Sequence, residues 1–387
     1  MTVDFAGLGL SDPIVEALAA QGITEPFEIQ AMSIPDAIAG RDICGKAKTG
    51  SGKTFAFGLP VLHQLEKAEK RRPRALALVP TRELAVQVHD ELAVAASAVD
   101  RTMAAIYGGA DIEKQINKLS KGVDFVVATP GRLIDLIERK EVALDDVAHV
   151  IVDEADRMAD MGFMPQVEWV LRHITGEHQT LLFSATLDGV VDRLVSRYQH
   201  DPARFEVESS TTTVDSMQHR FLLVHEMDRA KVVAEIARNS NRTLVFSRTK
   251  HGADRLAQSV EDEGVASAAI HGDLRQKSRE RALKQFGDGE LEVLVATDVA
   301  ARGIHVDDVD VVVHYQPASD HKSYLHRSGR TARAGASGVA ITLSLWNEEL
   351  EVKRLQKRLG LEQPIVEMFS NDERLADLGG WDPLSED

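Results

Sequence analysis

Two parallel α/β domains in tandem are the architecture this sequence predicts. Short apolar runs that end in polar or turn residues recur along the chain, helical periodicity fills the intervals, and the whole pattern is repeated once after a stretch of small polar residues. The length of 387 residues accommodates two cores at roughly 150 residues per domain.

In order, the first half offers a short strand at 42–44, then ALALVP (75–80), DFVVATP (124–130), HVIVDEAD (149–156) and TLLFSAT (180–186). Continuous apolar runs of this length suit strands buried on both faces. The helix at 83–95 puts Leu84, Val88, Leu92 and Ala95 on one side. SSTTTVDS (209–216) has no apolar periodicity and reads as a linker. The second set is TLVFSRT (243–249), ASAAIHG (266–272), LEVLVATD (291–298), DVVVHYQ (310–316) and GVAITLS (338–344), with helices at 250–260 and 278–286. The predicted boundaries are therefore 1–207, a linker at 208–217, 218–362, and a tail at 363–387. In open parallel sheets ligands sit beyond the carboxyl ends of the strands, so a cleft between the two domains is the expected site.

Charge runs against one class of ligand. With 45 basic and 61 acidic side chains the net charge is −16, without the basic excess of a typical nucleic-acid binder. Attraction for a polyanion must then come from local clusters and backbone amides. Residues 361–387 hold Arg374 against eight acids, which predicts a solvated tail over 371–387. No run approaches the ~18 apolar residues of a membrane span, and Arg41 is the first basic residue, so a cytoplasmic protein is expected. Cys44, the single cysteine, excludes intramolecular disulfides and multi-thiolate metal sites, and reads as a buried strand residue.

The chemistry concentrates at strand ends. AKTGSGKT (47–54) fits a phosphate loop with Ala47 in place of the first glycine. Gly50 and Gly52 let the backbone wrap phosphates with Thr49 and Ser51 between and before them, Lys53 adds a point charge, and Thr54 offers a hydroxyl to Mg²⁺. HVIVDEAD delivers Asp153 to the end of a buried strand, where it can hold the metal, with Glu154 beside it to accept a proton from attacking water. In the second half HRSGRTARAG (326–335) sets Arg330 and Arg333 three apart, as arginine fingers carried on one helix face.

With VDEADRM (152–158) and the motifs ordered around it, the chain closely resembles the DEAD-box family of ATP-dependent RNA helicases over roughly residues 5–345. The ordered matches are GITEPFEIQ (22–30), AKTGSGKT, PTRELA (80–85), Gly108-Gly109, TPGR (129–132), DEAD (153–156), SAT (184–186), VFSRT (245–249), 276–279, ATDVAARGI (296–304) and HRSGRTARAG. The resemblance implies two tandem RecA-like domains. It implies that Gln30 reads the adenine edge, that Phe5 stacks on the ring, that Gly303 lies at the nucleotide, and that His326 joins Arg330 and Arg333 near the γ-phosphate. RNA contacts fall by resemblance to Arg82, Gly109, Thr129 and Arg132, and to Gln276, Arg279 and Thr297. These groups suit phosphates and sugars, so binding is expected to be largely sequence-independent. Ser184 and Thr186 would link the nucleotide site to the RNA surface by bonding into the acidic tetrapeptide.

Departures from the family pattern are Lys48, Phe27 in place of a hydroxyl residue, Gln316, Ser328, Ala332, and His305 where relatives mostly carry a ribose-binding aspartate. The expected mechanism is closure of both domains on ATP, Mg²⁺ and single-stranded RNA, with loss of a nearby duplex strand. The competing expectation is an ATP-gated RNA clamp with little unwinding.

Overall fold

The computed structural model describes residues 4–47, 51–187, 189–207, 217–301, 309–331 and 338–384. The chain divides into two units, Met1–Glu208 and Ser209–Asp387, each built on one seven-stranded sheet. In the first unit the strands are β1 (Ile43–Lys46), β2 (Ala75–Leu78), β3 (Met103–Ile106), β4 (Phe125–Ala128), β5 (His149–Asp153), β6 (Gln179–Ser184) and β7 (Ala203–Glu206). They lie in the order β3-β4-β2-β5-β6-β1-β7, with every pairing parallel.

The second unit has β8 (Met217–Leu223), β9 (Thr243–Ser247), β10 (Ser267–Ile270), β11 (Val293–Thr297), β12 (Val311–His314), β13 (Gly338–Ser344) and β14 (Ile365–Glu367). Their order is β10-β11-β9-β12-β13-β8-β14, again all parallel. The two tandem sheets flanked by helices are the RecA-like arrangement the motifs implied.

Successive strand residues point to opposite faces, and both faces here are covered. Ala75 and Ala77 of β2 enter one core cluster while Leu76 and Leu78 enter another. Val293 and Val295 of β11 likewise part from Leu294 and Ala296. This double burial explains the uninterrupted apolar runs in the sequence. Cys44 sits in β1, fully buried and unbridged, and burial pushes its thiol up. The units also share a helix-starting device. The Thr81 hydroxyl accepts the Leu84 N–H at the head of the helix Arg82–Ala98, and the Thr249 hydroxyl accepts the Gly252 N–H at the head of Lys250–Asp262.

The structure adds β3, β7, β8 and β14 to the strands read from sequence. It also corrects the tail. β14 extends the second sheet, and Leu375, Leu378 and Trp381 pack against its core, so 363–381 is part of the fold rather than a solvated appendage. The acids misled because Glu362, Glu367, Glu373, Asp377 and Asp382 lie at the surface, while the buried Arg220 donates to the Leu378 and Trp381 carbonyls and lies over the Trp381 ring. The linker stretch 209–216 lies outside the described residues.

Candidate active site and nucleic-acid surface

The first unit places its chemistry along one edge, beyond the carboxyl ends of the strands. The residues expected at the nucleotide phosphates follow β1, β5 and β6, which are neighbours in the sheet. Thr49 and Gly50 lie outside the described residues. Gly52 is left-handed at φ 84°, and a Cβ there would collide with the Gln30 amide and the Phe27 ring. It caps the helix Lys53–Gln64, on which Lys53 and Thr54 are the first two residues.

Gln30 is buried, with half of its amide committed. Its Nε2 donates to the Gly52 carbonyl at 2.8 Å, and its Oε1 accepts the Phe27 N–H at 2.8 Å. One N–H and one lone pair of the amide are left, which is the donor–acceptor pair an adenine edge requires. Phe27 is 61% exposed, whereas Phe5 is 2% exposed and packs in the core with Leu8, Leu10 and Ile14. The short helical turn Ala6–Leu8 tucks the Phe5 ring inward, so this structure does not present it to a base.

The acidic tetrapeptide is held carboxylate by carboxylate. Asp153 ends β5, with its Oδ1 3.8 Å from the Lys53 ammonium, and both side chains are buried. Burial pushes the Asp153 carboxyl up to about 6 against the opposing pull of Lys53. Glu154 turns the chain from strand into helix at φ 52°, a left-handed conformation that costs on the order of 1–3 kcal/mol for a side chain of this kind. Arg157, one turn later, donates to the Glu154 carboxylate. Asp156 is bonded from β6: its N–H donates to the Ser184 hydroxyl at 3.1 Å, and its carboxylate accepts the Thr186 N–H at 3.2 Å.

The RNA candidates of this unit occupy the other end of the same edge, after β2, β3 and β4. Arg82 opens the helix after β2, and a Cβ on Gly109 (φ 85°) would strike its guanidinium. Arg132 donates to the Ala110 carbonyl at 3.2 Å, and Thr129 caps the helix Pro130–Glu138. Arg82, Gly109, Thr129 and Arg132 are therefore brought together by three adjacent strands.

The second unit repeats this layout. Gln276 and Arg279 lie on the helix Gln276–Gly287 that follows β10, and Arg279 donates to the Ala300 carbonyl at 2.7 Å. Ala300 is in the turn after Thr297, which ends β11 and is buried. His326 lies on the helix His321–Ser328 after β12. That helix stops at Ser328 with Gly329 as its cap, so Arg330 follows it in a turn rather than riding a helix face with Arg333. Arg333, Gly303 and His305 lie outside the described residues.

Residues 27–194 match the model of the DEAD/DEAH box helicase domain, and 228–335 match the helicase conserved C-terminal domain. The chain is 39% identical over 359 residues to the DEAD-box ATP-dependent RNA helicase CshA of Bacillus subtilis, covering 92% of this chain and 72% of that protein. It belongs to the DEAD-box family of ATP-dependent RNA helicases. The ATP-dependent RNA helicase CshA of Listeria monocytogenes is 40% identical over 87% of this chain and 65% of its own length. Among solved structures, S. cerevisiae Dbp5 bound to RNA and ADP BeF3 aligns with a TM-score of 0.83 at 29% identity over 96% of each chain. A DEAD box protein from Methanococcus jannaschii aligns at 0.52 and 35% identity, over 94% of this chain and 99% of that one.

Two features of this helicase were not singled out from its sequence. Arg157 was readable, since it lies three residues after Glu154 at the start of a helix, the spacing at which side chains meet. The Arg327 guanidinium, buried and lying over the Phe246 ring, donates twice to the Asp298 carboxylate at 2.6 and 2.7 Å. This pair fastens the turn after Thr297 to the helix that carries His326. Nothing in the sequence spacing signals it.

Proposed function

We propose that this helicase hydrolyses ATP when nucleotide and RNA are held together, and that the cycle separates short RNA duplexes or remodels ribonucleoprotein in the cytoplasm. The observation that carries this reading is the acidic tetrapeptide, whose members are bonded separately to the phosphate-loop lysine, to Arg157, and to Ser184 and Thr186. In this reading Lys53 and the loop amides bind the phosphates, Glu154 takes the proton of the attacking water, and Gln30 selects adenine. Arg330, Arg333 and His326 complete the charge stabilisation from the second unit.

A Mg²⁺ ion brought in with ATP fits the donor set. Asp153 is a buried carboxylate opposed by the Lys53 cation at 3.8 Å, and Thr54 follows Lys53 in the first turn of its helix. No cluster of three ligating side chains occurs among the described residues, which suits an ion shared with phosphate oxygens rather than one caged by protein. Bound there, the ion would neutralise phosphate charge. Arg82, Gly109, Thr129, Arg132, Gln276, Arg279 and Thr297 would hold RNA through phosphates and sugars, with little reading of bases.

The test is the ATPase rate with single-stranded RNA, duplex RNA and DNA at fixed ionic strength, beside release of a short duplex strand. Stimulation by RNA with strand release is expected. RNA-dependent ATP binding without strand release would instead establish the clamp.

A further inference from the structure

The carboxyl edge of the second sheet has three zones. The RNA candidates follow β10 and β11 at one end, His326 and Arg330 follow β12 in the middle, and the far end is formed by the loops leaving β13, β8 and β14, which are adjacent strands. Those last loops have no part in the proposed reaction. They nevertheless carry four large apolar side chains in solvent: Met227 is 85% exposed, Trp346 82%, Leu350 61% and Phe369 49%. Large apolar side chains cost free energy in water, and four of them on the loops that leave three adjacent strands, rather than scattered singly, are the usual mark of a recognition surface.

The three loops are held to one another. The Val224 N–H donates to the Ser344 carbonyl, and the Met368 N–H donates to the Leu223 carbonyl, extending the strand pairing into the loops. Arg229 donates to the Leu343 carbonyl at 2.9 Å and meets Glu348 at 3.4 Å, joining the Met227 and Trp346 loops. Ser370 donates through its N–H and hydroxyl to Asp228 at 2.6 and 2.7 Å, joining the Phe369 loop. The apolar side chains thus project from a braced platform, and binding there needs little ordering of this chain.

Charge decides the occupant. Segments 225–228, 345–351 and 367–373 together contain eight acidic residues and no lysine or arginine. The cations nearest in sequence are committed: Arg229 is buried against Glu348, Lys353 pairs with Glu349, and Arg374 pairs with Asp372. Glu226, Glu351 and Glu367 remain exposed around the apolar group. Such a rim repels RNA phosphates, and it repels a second copy of a chain whose own net charge is −16.

We propose that Met227, Trp346, Leu350 and Phe369 form a docking surface for a short segment of a partner protein that presents large apolar side chains flanked by lysine or arginine. The surface lies at the opposite end of the sheet edge from the RNA candidates, so the partner docks without displacing RNA from this unit. Trp346 is the expected anchor, because exposed tryptophans at the centre of interfaces carry much of the binding energy.

Selection of a phage-displayed library of random 12-residue peptides on the full chain tests this. Enriched sequences are expected to combine Leu, Phe or Trp with Lys or Arg. A synthetic peptide of the enriched sequence should shift Trp346 fluorescence to the blue in a chain carrying Trp169→Phe and Trp381→Phe. Trp346→Ser should weaken that peptide by about tenfold or more, and Glu226→Lys with Glu351→Lys should weaken it in a salt-sensitive way. RNA-stimulated ATPase should be unchanged in both variants, showing that they are folded. No enrichment dependent on Trp346, or enrichment without basic residues, overturns the proposal. So does concentration-dependent self-association abolished by Trp346→Ser, which would give the surface to a second copy.

Discussion

The Ser184 hydroxyl accepts the N–H of Asp156 at 3.1 Å, and the Asp156 carboxylate accepts the N–H of Thr186 at 3.2 Å. The ends of β5 and β6 are joined reciprocally, within three residues of Asp153 and Glu154. Only one of the two links uses a side chain of the Ser-Ala-Thr segment. Ser184→Ala removes it, while Thr186→Ala keeps its backbone donor. A neutral hydrogen bond contributes about 0.5–1.5 kcal/mol, so Ser184→Ala is expected to lower strand release roughly two- to tenfold with ATP affinity unchanged. Equal effects of the two substitutions on strand release would show that the Thr186 hydroxyl acts through some other contact.

Arg157 holds the Glu154 carboxylate from one helical turn away, with Glu154 buried and the Arg157 side chain 11% exposed. If Glu154 is the general base, three variants separate. Lys53→Ala should weaken nucleotide binding. Glu154→Gln should retain ATP and lose about 10² to 10⁴ in turnover. Arg157→Ala should leave ATP affinity intact and lower turnover on the order of tenfold, the worth of a charge-assisted bond that orients the base. Loss of affinity in Arg157→Ala would place its guanidinium on the phosphates instead.

Central strands were legible because both faces of each sheet are covered, which forces runs such as ALALVP and LEVLVATD to be apolar throughout. Edge strands carried no such signal: β3 alternates buried and half-buried residues, and β7 has one buried residue, Ala203. β8 hides His219 and Arg220, polar residues whose burial is made possible by Tyr324 at 2.7 Å and by the Leu378 and Trp381 carbonyls, all more than a hundred positions away. No local pattern could reveal that. At the site, motif spacing placed Asp153 at the end of its strand and Lys53 and Glu154 after theirs. It misjudged Arg330 because the glycine following Ser328 ends the helix early. It also missed the inward turn of Phe5, which depends on packing against Leu8 and Ile14.

The Asp298–Arg327 pair predicts a stability effect in the second unit. The Arg327 side chain is 5% exposed, and the Gln316 carbonyl takes a further bond at 3.2 Å. Asp298 is 31% exposed, so its removal leaves the buried Arg327 charge uncompensated but with some access to water, at a cost of about 1.5–3 kcal/mol. Asp298→Ala should therefore lower the urea midpoint of the full chain strongly. Arg327→Lys should recover only part of it, since an ammonium cannot make the two parallel bonds. A midpoint within error of the parent for Asp298→Ala would show that the pair is replaceable by water.

Asp153 predicts the opposite sign. Its carboxyl is raised from 3.8 to about 6 in the fold, chiefly by burial, with Glu154 and Asp156 adding repulsion and Lys53 opposing. Stability from the protonated form is fully present below the ordinary carboxylate value and is lost as pH rises through about 6. At pH 8 the ligand-free protein therefore carries an ionised group that its surroundings disfavour, by up to about 3 kcal/mol at 1.36 kcal/mol per pKa unit. Asp153→Asn removes that charge, and the Lys53 contact it gives up is an ion pair at 3.8 Å, beyond hydrogen-bond distance, so its loss offsets only part of the gain. The net gain should be on the order of 1 kcal/mol, read as a Tm rise of about 2–4 °C. The gain should disappear near pH 5, where the parent is protonated. His149 and His314, both lowered by burial, destabilise the parent and the variant alike in acid. The comparison is therefore the difference in Tm at each pH. ATP with Mg²⁺ should raise the Tm of the parent and do little for Asp153→Asn. A variant less stable than the parent at pH 8 would mean that the Lys53 contact outweighs the burial of the carboxylate.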